Sequence, residues 1–215
     1  MTTDIGDPQE KLISDAAEWR LLGLLFECPS ESWRREIAGL AEEVSDQELA
    51  AAGRLAAREA SEGLFHSTFG PGGPAPGREV SYRSWVQPGY MISEISAFYR
   101  AFAFSPKTTE TPDHIAVEAA FVSYLKMKQA FAIAAGNEEH ARITSEAEAI
   151  FIRDHLTKIA EPLCRSLAHS GIGYLSVAGD ALLKRTGPDP DRAEKRGFLP
   201  VLDTDEETFR CGNGS

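Results

Sequence analysis

Apolar residues recur every three or four positions along most of this chain, and polar or Gly/Pro-rich breaks separate the runs. The first run carries Leu12, Ala16, Trp19, Leu22 and Phe26 on one helical face. Asp7-Pro8-Gln9-Glu10 opens it with a capping aspartate, a proline at the first helical position and an acidic third residue, and Cys28-Pro29 closes it. Ser30 caps a second helix with Trp33, Ile37, Leu40 and Val44 on one face. Ser45-Asp46-Gln47-Glu48 is another capping box, and the pattern predicts a third helix to about Phe65. Residues 70–77 hold so much glycine and proline that no helix survives there. A fourth helix follows Pro88-Gly89, with Ile92, Ile95, Phe98, Tyr99 and Phe102 in register. After a polar loop over 105–111, Thr111-Pro112 starts a fifth helix that runs towards Gly136. Asn137-Glu138-Glu139 starts a sixth, continuing through Ile150, Phe151, His155 and Leu156. Pro162 and Gly171 divide the remainder, with a last helix near 174–184. No alternating run long enough for a strand is present, so the expected class is all-α.

From residue 187 to 215 the chain becomes rich in proline, glycine and charge, with one apolar patch, Phe198-Leu199-Pro200-Val201-Leu202. The expected organisation is one helical domain over 8–186 followed by an extended acidic tail over 187–215. The chain has 215 residues, of which 42% are hydrophobic, enough for a sizeable core. The amino end has neither a basic region nor an apolar run, so no secretory signal is expected there. No apolar stretch reaches the roughly 18 residues needed to cross a bilayer, so no membrane insertion is expected. Cys28, Cys164 and Cys211 are widely spaced and form no CxxC, which fits free thiols in a reducing cytoplasm. The net charge of −11 leaves no basic stripe for nucleic acid and favours a cationic partner.

Two segments stand out chemically. The first is Phe65-His66-Ser67-Thr68-Phe69-Gly70-Pro71, resuming after the loop at Glu79-Val80-Ser81-Tyr82. The second is Pro112-Asp113-His114, followed by Glu118 one turn after His114 and by Phe121. Pro112 and Asp113 suit a helix start and nothing more, or Asp113 and His114 project into a groove that holds a basic peptide. Glu79, Tyr82 and Trp85 place a carboxylate beside aromatic rings, which suits capture of an arginine and apolar side chains, or simply seals the core. His114 and Glu118 alone make half a metal site with no second half, so neither metal nor cofactor is expected.

The ordered set Phe65, Phe69, Gly70, Pro71, Glu79, Ser81, Tyr82, Pro112, Asp113, His114 and Glu118 resembles the TorD/DmsD/NarJ family of molybdoenzyme maturation chaperones. Phe151-Ile152-Arg153-Asp154-His155-Leu156 looks like the family's late His-Leu helix. The likeness covers about residues 10 to 186. Ala119 stands where a leucine is usual, and Ile159 where a tryptophan is expected. The resemblance implies a compact TorD-like helical domain and no enzymatic activity. It implies a cytoplasmic chaperone that binds the amino-terminal twin-arginine signal peptide of the apo catalytic subunit of a molybdopterin oxidoreductase, awaiting cofactor insertion and delaying export. Glu79, Tyr82, Trp85, Pro112, Asp113, His114 and Glu118 are then the peptide-binding residues. Molybdenum cofactor delivery proteins are further partners on this reading. The state is a monomer or a dimer swapped at the 70–77 or 105–111 loops.

Two alternatives stay open: a NarJ-type assembly chaperone for a non-exported client, and a helical small-molecule or nucleotide-binding enzyme using Asp113, His114 and Glu118 as an acid/base cluster. The tail segment Lys195-Arg196-Gly197-Phe198-Leu199 resembles the core of a twin-arginine signal. It is a candidate placeholder for the peptide groove.

Overall fold

In the computed structural model the described residues are 7–84 and 86–191. Trp85, Cys211 and the signal-like segment 195–199 lie outside them. The helices are α1 (Pro8–Leu25), α2 (Glu31–Glu43), α3 (Gln47–Glu59), α4 (Glu62–Phe69), α5 (Pro88–Ala101), α6 (Ile115–Ala134), α7 (Glu138–Phe151), α8 (Thr157–Ala168) and α9 (Gly173–Thr186). A 3₁₀ turn spans Glu79–Tyr82 and a π turn Ile152–Leu156. The fold is all-α, and among the described residues the only β pairing is the single antiparallel bridge Arg78–His114. No helix among them is long and apolar enough to cross a membrane.

The caps explain most of the boundaries. Asp7, Ser30, Asp46 and Asn137 each accept a backbone N–H of the helix that follows, satisfying donors that have no intrahelical partner. The third helix is shorter than its periodicity suggests. Ala60 is extended and Ser61 accepts from Leu64 N at 3.2 Å, so a new helix starts where one continuous helix is expected. The fifth predicted helix begins three residues late, because Pro112 and Asp113 occupy a turn and His114 is the capping residue. Pro162 does not divide the chain but lies inside α8, whose buried face of Ile159, Leu163 and Leu167 outweighs the lost hydrogen bond.

α6 forms the centre, and its residues 115–125 are buried on nearly every side, as expected of a helix apolar all round, while Phe131 and Ile133 near its end are exposed. α1 runs antiparallel along it. Ser123 Oγ donates to Ala16 O at 2.7 Å near one end of the contact. At the other, Gly23 lets the backbones close up: a Cβ there would stand 3.2 Å from Ala116 O. α5 docks through rings: Tyr99 lies 4.8 Å from Phe121, Phe121 4.8 Å from Phe151, and Phe98 5.4 Å from Phe151. Arg185 of α9 ties Glu18 of α1 to Asp46 at the head of α3, at 2.9 and 3.0 Å.

Candidate functional site

Glycine 77 starts the site. Its carbonyl accepts from Ile115 N at 2.8 Å, and Glu79 N donates to Asp113 O at 2.8 Å. These bonds lay the segment after the Gly/Pro loop against the start of α6. An alanine Cβ at 77 would fall 2.4 Å from His114 Nε2. That ring is buried among Phe65 and Phe69 and cannot swing away. Gly77→Ala should therefore destabilise the protein by about 1–3 kcal/mol, the range for overpacking, read as a lower denaturant midpoint with an unchanged slope.

The two sequence segments do come together, but inside the protein. Glu79, Asp113 and Glu118 are each 0% exposed, and His114 is 3% exposed. Asp113 accepts from Arg78 Nε at 3.1 and 3.2 Å. Glu79 accepts from Arg83 Nη1 at 2.6 Å and lies 3.0 Å from His155 Nδ1. Arg83 also donates to Asp154 O at 3.2 Å, joining the 3₁₀ turn to the π turn. The π turn turns His155 inward, a use of π geometry common at functional sites. Tyr99 closes the back by donating to Pro112 O at 2.8 Å.

This corrects the expectation that Glu79, Asp113 and Glu118 stand open as acceptors for a peptide's guanidiniums. In this conformation Arg78 and Arg83, with side chains 41% and 24% exposed, already hold two of them. Desolvating a carboxylate is tolerated only with such partners. Glu118 has no cationic partner, and the neighbour within hydrogen-bonding reach of its carboxyl is another carboxylate, Glu79. Burial of Glu118, reinforced by the charges on Glu79 and Asp113, holds its carboxyl well above the ordinary range, which favours the neutral acid.

His114 does not project into a groove either. Its Nδ1 accepts from Ala116 N at 3.3 Å, and burial pushes the ring down to about 4 despite Asp113. An acid/base cluster of Asp113, His114 and Glu118 would thus be sealed from substrate in this conformation. The depressed histidine has a measurable consequence. The unfolded ring titrates near 6.5, so stability is lost as pH falls from there towards 4, by about 3 kcal/mol in all. Denaturation at pH 7 and pH 4 should show His114→Gln losing less on acidification than the native chain.

Tyr82 is half-buried, and burial pushes its phenol up to about 12. Pro112 is half-buried in the turn. Among the described residues no group of three or more His, Cys, Asp or Glu is arranged to hold a metal ion. Arg78, Arg83 and Tyr99 are site members that the sequence reading missed, and His155 entered it only through the late helix. The Glu79–Arg83 spacing of four was the one local signal available. A family profile described as "Nitrate reductase delta subunit" matches residues 27–165, a span that contains every one of these side chains. No curated protein matches the chain.

Proposed function

This chain belongs to the nitrate reductase delta subunit family, and on that premise we propose that it holds the amino-terminal segment of an apo molybdoenzyme catalytic subunit until the cofactor is inserted. The family is one of molybdoenzyme maturation chaperones, and the partner it implies is a nitrate-reductase-like catalytic subunit. The finer reading is a twin-arginine signal peptide, held in the cytoplasm so that export waits for maturation.

One observation carries that finer reading. Two fully buried carboxylates, Asp113 and Glu79, take guanidiniums from one short segment, Arg78 and Arg83, whose side chains still reach solvent. A client with two adjacent arginines can replace them one for one, so that no buried carboxylate is left bare at any stage. The Gly/Pro loop before the segment supplies the slack, and Tyr82, Pro112 and His114 border the exchange, with Glu118 behind. Carboxylates alone do not distinguish an exported from a non-exported client. The description of the matching family favours a second reading, in which the segment belongs to a nitrate-reductase-like subunit without an export signal.

Calorimetric titration separates the two. A twin-arginine signal peptide should bind, and replacing both arginines with glutamine should weaken it by about tenfold or more, the equivalent of about 1.4 kcal/mol. Equal affinity for the two peptides would rule out guanidinium exchange. Binding only of a segment from a non-exported subunit would establish the second reading.

A further inference from the structure

The turn that carries Glu110 to His114 has a second side. There a cleft of about 600 Å³ opens between α1, α6 and the loop after α5. This lies within the roughly 300–1,000 Å³ of ligand pockets. Its floor is apolar, formed by Phe104, Val117, Ala120, Tyr124 and Met127. Its mouth is charged: Arg20 donates to Glu36 and Glu27 at 2.6 Å each. A neighbouring hollow of about 700 Å³ shares these three residues and adds Glu110. Lys107 lines both. Three carboxylates and two cations thus border the mouth, and among the described residues only Arg20 is bonded to carboxylates there, Glu27 and Glu36. Burial, outweighing the attraction of Arg20, raises the Glu27 carboxyl above its ordinary range, and the charges on Glu36 and Glu110 add to this. None of these residues belongs to the buried cluster, and the exchange of arginines above does not use them.

We propose that this cleft receives the apolar stretch of the client's amino-terminal segment, with a flanking arginine or lysine of the client seated among Glu27, Glu36 and Glu110. The inference rests on the reading that such a segment is the ligand. Its grounds are complementary shape and charge: an apolar trough beside a mouth with excess negative charge fits a segment that is apolar along its length and cationic at one end. Ala120 is the position where added bulk fills the trough, since it is only half-buried. Glu36 is the carboxylate most open to solvent at the mouth, with 44% side-chain exposure, and Arg20 keeps its bond to Glu27 when Glu36 is replaced.

The test uses the full chain and the twin-arginine peptide, with a benzoylphenylalanine placed in the peptide's apolar stretch. Irradiation followed by mass spectrometry should place the cross-links on residues 103–108 and on Tyr124 or Met127. Ala120→Trp should weaken binding about tenfold or more. Glu36→Gln should weaken it several-fold, and less for a peptide whose flanking basic residues are neutral. Thermal unfolding of both variants checks that they fold; Glu36→Gln keeps the test intact if Ala120→Trp does not. Cross-links elsewhere, with affinity unchanged in the variants, would overturn the cleft and leave the chaperone reading standing. A native chain that binds no amino-terminal segment, exported or not, would overturn both.

Discussion

Glu118→Gln stabilises the protein as pH rises above about 4.5, read as a Tm advantage over the native chain that grows with pH. The carboxyl is fully buried, without a cationic partner, and close to the charges of Glu79, its hydrogen-bonding neighbour, and Asp113. It stays protonated in the folded state, whereas in the unfolded chain it ionises above about 4.5. A carboxyl raised in this way contributes its full stability below pH 4.5 and loses it as pH rises towards the folded value, at about 1.4 kcal/mol per pH unit. Glutamine does not ionise, so the advantage of the variant grows from pH 4.5 upward and vanishes below it. His114 acts with the opposite sign, because its buried neutral ring costs stability as pH falls from 6.5 to about 4. The native chain is thus squeezed from both sides between pH 4.5 and 6.5, and the two variants separate the contributions. A constant difference between Glu118→Gln and the native chain across pH 4.5 to 8 would mean that Glu118 is ionised in the fold.

Arg78→Ala destabilises by about 1–3 kcal/mol, the cost of leaving the buried Asp113 carboxylate without its main donor, less than for a fully buried pair because the Arg78 side chain is 41% exposed. Asp113 is fully buried and depends on Arg78 for its guanidinium contacts. Its remaining side-chain contact, from Val80 N, is 3.5 Å long. The loss should be recovered when an arginine-bearing peptide is added, because the peptide fills the vacated place and stabilises the fold by mass action. Chemical denaturation of the variant with the twin-arginine peptide and with its glutamine counterpart measures this. Equal recovery by both peptides would show that the Asp113 site does not select a guanidinium.

Much of the helical frame is legible along the chain, because the caps are local. Asp7, Ser30, Asp46 and Asn137 all accept the hydrogen bonds that their positions suggest. Ser61 was equally local but was hidden by the apolar periodicity on either side of it. Pro162 looked like a stop, yet tertiary burial of Leu163 and Leu167 carries the helix through it. The site was legible as a set of residues and not as a geometry. Glu79, Asp113, His114 and Glu118 were marked as one site, and they do meet. Their orientation depends on pairings that no spacing reveals: Arg78 with Asp113, 35 residues apart, and His155 with Glu79, 76 apart. The motifs and the family resemblance suggested carboxylates open to a peptide. Burial and the chain's own arginines decide otherwise.

Recognition of the client's amino-terminal segment is measured with the apo catalytic subunit itself. Complex formation is measured by calorimetry for the intact subunit and for the same subunit lacking that segment. The account predicts a one-to-one complex with the intact subunit and its loss on truncation. Undiminished binding of the truncated subunit would contradict it.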